Sequence, residues 1–540
     1  MLVRQFRLHR MHGEPRQYGA IVIGSGPGGS ACARALALRG KSVCLLERGG
    51  EIPHTDVCGE YSGCAFLCRA RSLERTASTA DTCFNRLQPG RGALTGHALG
   101  GASAVNFSLW ITPSKQDLDK ALPEQMITDD IVQSFLSDID DVITDEQFGM
   151  TEMHRRVAQV LPPQSQVITR GRPAPKLPPN DRLSNGLHLT HDKTVRVGRH
   201  LRSEGGVRRN AWEALAQNEP NIVTRDGFDV DYIEAAHEGW IVYSSRVPDP
   251  ECVAAPMVFV ACSALETPQL LMRSFPGQLS PQIGKNLCDH DQSSTAYPLC
   301  CCCGAHDIPS SRMPERSPVG FVYGSHSGKV NAQVTHLPWA FSCPARPYNC
   351  CDSVQAFLST GCCALSPHWL PYGLCYSDLR MEAFRITRPD GEVQYDTETN
   401  CAYVVLPTTD DDVNKLANEH RMLMDKAVRV AIGGAKGLTL PWRSSWHYTG
   451  TANAIGQITL QGSARACDAY AHVLDRHGEQ LLKQKMHQGI YVADNSLARF
   501  PPMANGMSMA AFCGYAAAMR ALQREEEQKG NMASAKKLRR

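Results

Sequence analysis

The sequence predicts an α/β protein in which a Rossmann-like dinucleotide-binding domain is joined to a discontinuous α+β domain. Three observations predict it. Residues 18–47, YGAIVIGSGPGGSACARALALRGKSVCLLE, read as a complete βαβ unit that closes on an acid. The chain then leaves that unit through acidic and proline-rich stretches and comes back to strand-forming runs at residues 221–244 and 257–261. Its length, 540 residues, exceeds what one hydrophobic core supports, so two or more lobes are expected.

The βαβ unit is legible element by element. Ala20 to Ile23 is a short apolar run suited to a buried parallel strand. Gly24-Ser25-Gly26-Pro27-Gly28-Gly29 follows, with glycines in the GxGxxG pattern at Gly24, Gly26 and Gly29, and residues 30–39 read as a small-residue helix that Gly40 ends. The three glycines make a tight turn, let backbone approach a pyrophosphate, and let helix pack on strand. Phosphates then rest on free N–H groups at the helix start. Residues 42–46 form the second strand, and Glu47, 18 positions after Gly29, can accept hydrogen bonds from a ribose.

Composition narrows the partners. Lysine plus arginine number 56 against 54 acids, a net charge of +2, which gives no electrostatic case for nucleic acid or a membrane surface. No apolar run reaches the roughly 18 residues of a membrane span. A soluble, cytoplasmic protein is expected, although the basic residues 1–17, read as a disordered lead, could act as an organelle presequence. Of the 22 cysteines, Cys32, Cys44, Cys262 and Cys513 fall in core elements, while Cys300 to Cys303 and the pairs Cys350-Cys351 and Cys362-Cys363 lack C-x-x-C spacing. They read as small buried hydrophobes and reduced loop thiols, with no metal site.

Residues 58–83 read as loop with short helix, and residues 90–110, GRGALTGHALGGASAVNFSLW, form a second glycine-rich stretch. Such backbone can press against a planar ring because no side chains hold it away. Residues 117–145 read as acidic helix and 207–218 as another helix. Strands are expected at 221–224, 229–235, 240–244, 257–261, 385–387 and 401–406, a long helix at 412–432, a closing helix at 508–522 and a frayed tail over 523–540.

Together these stretches resemble the glucose–methanol–choline (GMC) oxidoreductases. The resemblance rests on the βαβ unit and on Gly100-Gly101-Ala102-Ser103-Ala104-Val105-Asn106. It rests also on Ser263-Ala264-Leu265-Glu266-Thr267-Pro268-Gln269-Leu270-Leu271, Gly284-Lys285-Asn286-Leu287-Cys288-Asp289-His290, Trp446-His447-Tyr448-Thr449-Gly450 and Asp494-Asn495-Ser496. It implies the two-domain architecture shared with p-hydroxybenzoate hydroxylase. Residues 18–120, 205–292 and 441–522 would bind FAD, and residues 121–204 and 293–440 would form the substrate lobe. It also implies FAD contacts at Gly24, Ser25, Gly26, Pro27, Gly28, Gly29, Glu47, Arg48, Gly100, Gly101, Ser103, Asn106, Val230, Asp494 and Met507. Val105 stands where some members carry a flavin-linked histidine, so the FAD is expected to be non-covalent. Tyr448 replaces the usual proline, Gly506 replaces the proline of Asn-Pro, and Phe275-Pro276 interrupts the usual Ser-Gly-aliphatic-Gly.

The chemistry implied is oxidation of a small-molecule alcohol by hydride transfer to flavin N5, with O2 or a carrier as final acceptor. A neutral imidazole suits removal of the hydroxyl proton, and a second polar group must hold the hydroxyl in line. These roles fall to His447 and Asn505, whereas Asp289 and His290 read as structural. Residues 388–391 and the helix after them resemble the sterol and long-chain alcohol branch, which implies a sizeable apolar substrate. Two alternatives stand beside this reading. One is a flavin-binding protein with lost catalysis that acts through a partner, and the other is the light-driven fatty-acid decarboxylase branch, against which His447 argues.

Overall fold

The computed structural model describes residues 15–51, 96–104, 109–110, 112–113, 115–143, 156–157, 160, 166–168, 194–197, 199–200, 209–244, 251–300, 321–324, 329–338, 375–396, 401–434, 437–439, 441–444, 447–454, 457–459, 462–468, 471–477, 479–481, 489–501 and 506–538. The principal elements are β1 (Ala20–Ile23), α1 (Pro27–Leu38), β2 (Val43–Leu46), β3 (Ile222–Arg225), β4 (Met257–Val260), α2 (Ser263–Ser274), β5 (His290–Cys300), β6 (Cys375–Ile386), α3 (Asp411–Ala431), β7 (Gly489–Val492) and α4 (Met507–Leu538).

Five strands form a parallel sheet in the order β7-β4-β1-β2-β3. The unbroken apolar runs of β1, β2, β4 and β7 are buried at every position, as a sheet covered on both faces requires. From β1 the chain winds one way through β2 and β3, and the other way through β4 and β7. The crevice at the carboxyl ends of β1 and β4 is therefore the switch point at which such sheets take ligands. Helices α1 and α4 pack against each other over this sheet.

The second large sheet is antiparallel except at one edge, where Gln166–Ile168 pairs parallel with Thr194–Val197. Strand β5 pairs along its whole length with β6, and β6 with Val330–Pro338; Phe321–Gly324, Thr194–Val197 and Gln166–Ile168 extend it. Strands from either side of β3 and β4 thus meet in one layer. Helix α3 lies on this layer and buries Val413, Ala417, His420, Met424, Ala427 and Val428, a stripe with helical spacing.

Several expectations change. The acidic stretch 117–145 is not one helix: Pro123 divides Lys115–Ala121 from Asp129–Phe135, and the second piece widens into a π turn at Leu136–Asp140. The helix expected at 207–218 is Ala211–Leu215, started by a capping box of Asn210 and Glu213. The closing helix runs on to Leu538 through the stretch read as a frayed tail. Its charges find partners there: Glu525 lies 2.6 Å from Lys41 and 2.8 Å from Lys529. Within the basic lead, Arg16–Gln17 pairs parallel with Glu251–Ala255. The loop expected at 58–83 and the cysteines from Cys301 to Cys363 lie outside the described residues. Among the described residues no helix is long and apolar enough to cross a membrane.

Candidate active site

The nucleotide end is built where β1 stops. Gly24 to Gly29 lead into α1, whose N-cap is Gly26 and which has no side-chain cap. Nothing lies within 4 Å of the point where a Gly26 Cβ would stand. Gly29 is obligatory for the opposite reason, since a Cβ there would fall 1.8 Å from the Gly24 carbonyl oxygen. The second glycine stretch lies directly on this loop: a Cβ on Gly101 would meet the Gly26 Cα at 2.9 Å.

Ser25 joins these parts. Its N–H and Oγ donate to Glu47 Oε2 at 3.0 and 2.7 Å, and its Oγ accepts the Gly100 N–H at 2.9 Å. Glu47 Oε1 accepts from Gly49 N–H at 2.9 Å. Burial pushes the Glu47 pKa up, and these hydrogen bonds pull it back. A carboxylate accepts about four hydrogen bonds, so three leave capacity for a ribose hydroxyl. Uncapped helix amides, an open face at Gly26 and a buried acid at the end of β2 fit a dinucleotide.

Neighbouring contacts hold this end rigid. Arg48 pairs with Glu266 of α2. Ser103 Oγ donates to the Gly100 carbonyl and accepts the Ala211 N–H at 2.8 Å, tying the second glycine stretch to a helix start. Val230 stands just before the strand Tyr232–Ala236 rather than on it, and its carbonyl accepts from Arg273 Nη2 at 2.9 Å. Asp494, just past β7, accepts from Ser263 N–H at 2.8 Å, Thr267 Oγ1 at 2.6 Å and Ser496 N–H at 2.7 Å. It thereby fastens the ends of β4 and β7 and holds Ser263 at a φ of 80°, a conformation rare for a non-glycine residue. Met507, buried, begins α4.

The second end is delivered by an isolated bridge. Cys288 and Thr449 exchange both backbone hydrogen bonds, at 3.1 and 2.9 Å, which brings His447 beside the start of β5. Asp289 Oδ1 accepts the His447 backbone N–H at 2.8 Å. Asp289 is itself pinned, its N–H donating to Thr387 Oγ1 at 2.9 Å and its carbonyl accepting Thr387 N–H at 3.0 Å. The His290 ring stands edge-on to that of His447, with centres 5.7 Å apart, and Phe384 packs within 6 Å of both. Burial depresses the His447 pKa to about 4. Burial also holds His290 well below the ordinary imidazole value; His447 adds to this, and Asp117 opposes it.

The helix α4 start adjoins this end. Asn495 Nδ2 donates to the Gly506 carbonyl at 3.2 Å, and a Cβ on Gly506 would lie 3.8 Å from His447 Cδ2. Asn505, Asn106 and Val105 lie outside the described residues. Tyr448, where proline was usual, is buried with Ala264, Leu265, Leu287, Val393 and Val404. Sequence reasoning missed one feature. Ser25 was read as part of the loop, and nothing local signals that its hydroxyl joins both glycine stretches. His290, read as structural, is buried beside the ring of His447.

Comparison with known proteins bears on the fold. Residues 22–54 match the family model of an NAD(P)-binding Rossmann-like domain. No curated protein sequence matches the chain. A formate oxidase structure superposes with a TM-score of 0.60 at 15% identity, covering 96% of this chain and 100% of that one. Pyridoxine 4-oxidase from Mesorbium loti gives 0.59 at 14%, covering 93% and 98%. A variant of Aspergillus oryzae RIB40 formate oxidase, studied for its effect on FAD modification, gives 0.57 at 15%, covering 96% and 100%. The chain has the two-domain fold of these oxidases. It consists of a Rossmann-like domain carrying a second lobe.

Proposed function

We propose that the protein is an FAD-dependent oxidoreductase that oxidises an alcohol to an aldehyde or ketone. One observation carries the reading: a neutral imidazole, His447, clamped through its backbone by Asp289, stands beside Gly506, the residue that follows Asn505. FAD would be held by the amides opening α1, by Glu47 and by the glycine stretch at Gly100 and Gly101, and it supplies a two-electron acceptor. His447 takes the hydroxyl proton on a ring nitrogen. With a pKa of about 4 it is already in the accepting form at neutral pH. Asn505 orients the hydroxyl so that its carbinol C–H faces the acceptor.

The same electrostatics favour an alcohol over formate. The imidazoles of His447 and His290 are both neutral at pH 7, and the carboxylates of Asp117 and Asp289 stand near them. A neutral hydroxyl enters such a site at lower electrostatic cost than an anion does. The substrate is taken as sizeable and apolar, the electron acceptor as O2 or a carrier, and the FAD as non-covalent on the ground of Val105. The interruption at Phe275 lends no support to a catalytically silent protein: its ring is buried edge-on against Trp240, centres 5.9 Å apart, as a core contact.

The test is anaerobic mixing of the purified yellow protein with a panel: pyridoxine, formate, primary and long-chain alcohols, and a sterol. Bleaching of the flavin by an alcohol is expected. Bleaching by formate alone would replace the substrate assignment, and bleaching by none would favour a flavin-binding protein that acts through a partner.

A further inference from the structure

The proposed base does not account for the imidazole beside it. His290 is 1% exposed, and neither ring nitrogen has a hydrogen-bond partner among the described residues. A buried imidazole left in this state forfeits two hydrogen bonds that water would supply, a cost that proteins rarely carry at a purely structural position. Phe384 covers part of the ring, and an aromatic or aliphatic residue would fill the same space without that cost. The backbone that carries the ring is held firmly. His290 opens β5 in register with Ile386, and it follows Asp289, whose backbone and side chain are both bonded.

We infer that His290 is a second substrate-contacting residue, whose ring nitrogen hydrogen-bonds the oxygen that His447 acts on. The inference rests on the alcohol reading and deepens it. A neutral imidazole carries one N–H donor and one bare acceptor nitrogen, and a hydroxyl group offers the complement of each. Two rings in edge-on contact, centres 5.7 Å apart, allow an oxygen at their shared rim to reach a nitrogen of both. His447 then takes the proton while His290 keeps hold of the oxygen, a division of labour that leaves the C–H free to face the acceptor. No proton passes to His290, so the step stays balanced by His447 alone. Among the described residues, the carboxylates of Asp117 and of the adjoining Asp289 face the pair.

The test uses the FAD-loaded full chain and its His290→Phe and His290→Gln variants. Thermal unfolding comes first: His290→Phe is expected to match or exceed the wild type, because an unpaired ring is exchanged for an apolar one of similar size. A clear fall would reveal a structural partner for His290 and overturn the inference. The second readout is 15N NMR of histidine-labelled protein, with tert-butanol as probe. That alcohol has no carbinol hydrogen and binds without turnover. The signal missing from the His290→Phe spectrum is expected to move on titration, together with the one missing from His447→Ala. If the His290 signal stays fixed, the inference fails. With an alcohol that bleaches the flavin, His290→Phe should lower kcat/KM by about five- to 150-fold, as expected when a polar contact is removed, and His290→Gln should recover part of it. If the His290 signal moves but no alcohol bleaches the wild type, the hydroxyl contact stands and the oxidation reading falls.

Discussion

Lowering the pH gives a direct reading of the environment of His447. An ordinary imidazole titrates near 6.5, and burial lowers that of His447 to about 4. Only the neutral ring can accept a proton, so activity should be full above the folded pKa and lost as pH falls through it. At pH 5.5 a ring with a pKa of 4 is about 97% neutral, whereas one with a pKa of 6.5 is about 9% neutral, a difference of roughly tenfold. The assay is kcat/KM for the fastest alcohol between pH 8 and pH 4, because this quantity reports groups of the free enzyme. It should hold nearly level down to pH 5.5 and turn down close to pH 4. A tenfold loss already present at pH 5.5 would refute the claim that this ring is desolvated. Stability follows the same sign: the folded pKa is depressed, so the contribution is whole above about 6.5, the unfolded value, and is lost progressively towards pH 4.

Further outcomes follow from the nucleotide end. Gly29→Ala would press a methyl group 1.8 Å from the Gly24 carbonyl oxygen and should yield protein with little bound flavin, measured as the ratio of visible to ultraviolet absorbance. Ser25→Ala removes a donor to Glu47 and the acceptor of the Gly100 N–H, both buried, and should destabilise the fold by about 1 to 3 kcal/mol in denaturant titration. Precipitation with acid should release the flavin into the supernatant, as Val105 offers no imidazole for a covalent bond; flavin retained in the pellet would contradict this.

How much of this was legible in the sequence depended on the range of the forces involved. The strands β1 and β4 and the helix α3 were readable because each is a local pattern, an apolar run or a helical stripe bounded by turn residues. Helix α1 starts at Pro27, three residues before the expected Ser30, because proline suits a helix first turn and the glycines behind it are held by packing against other segments. The run to Leu538 was missed since polar composition alone reads as a frayed end, and the partner that anchors Glu525 is Lys41, far away in sequence. At the candidate site the residue types proposed for catalysis were visible, but their environment was not. The lowered pKa of His447, and a His290 ring without a hydrogen-bond partner among the described residues, follow from burial that only the folded chain produces.

The central claim, that His447 is the base of a flavin-dependent alcohol oxidation, is tested most directly by the anaerobic reductive half-reaction of His447→Ala against the wild type. The flavin absorbance of the variant should be unchanged, because the residues that would hold FAD belong to the Gly24–Gly29 loop, Glu47 and the second glycine stretch. Its bleaching by alcohol at pH 7 should slow by about 10² to 10⁴-fold, the usual worth of general-base assistance. A variant that keeps its flavin and bleaches within tenfold of the wild-type rate would remove His447 from that role.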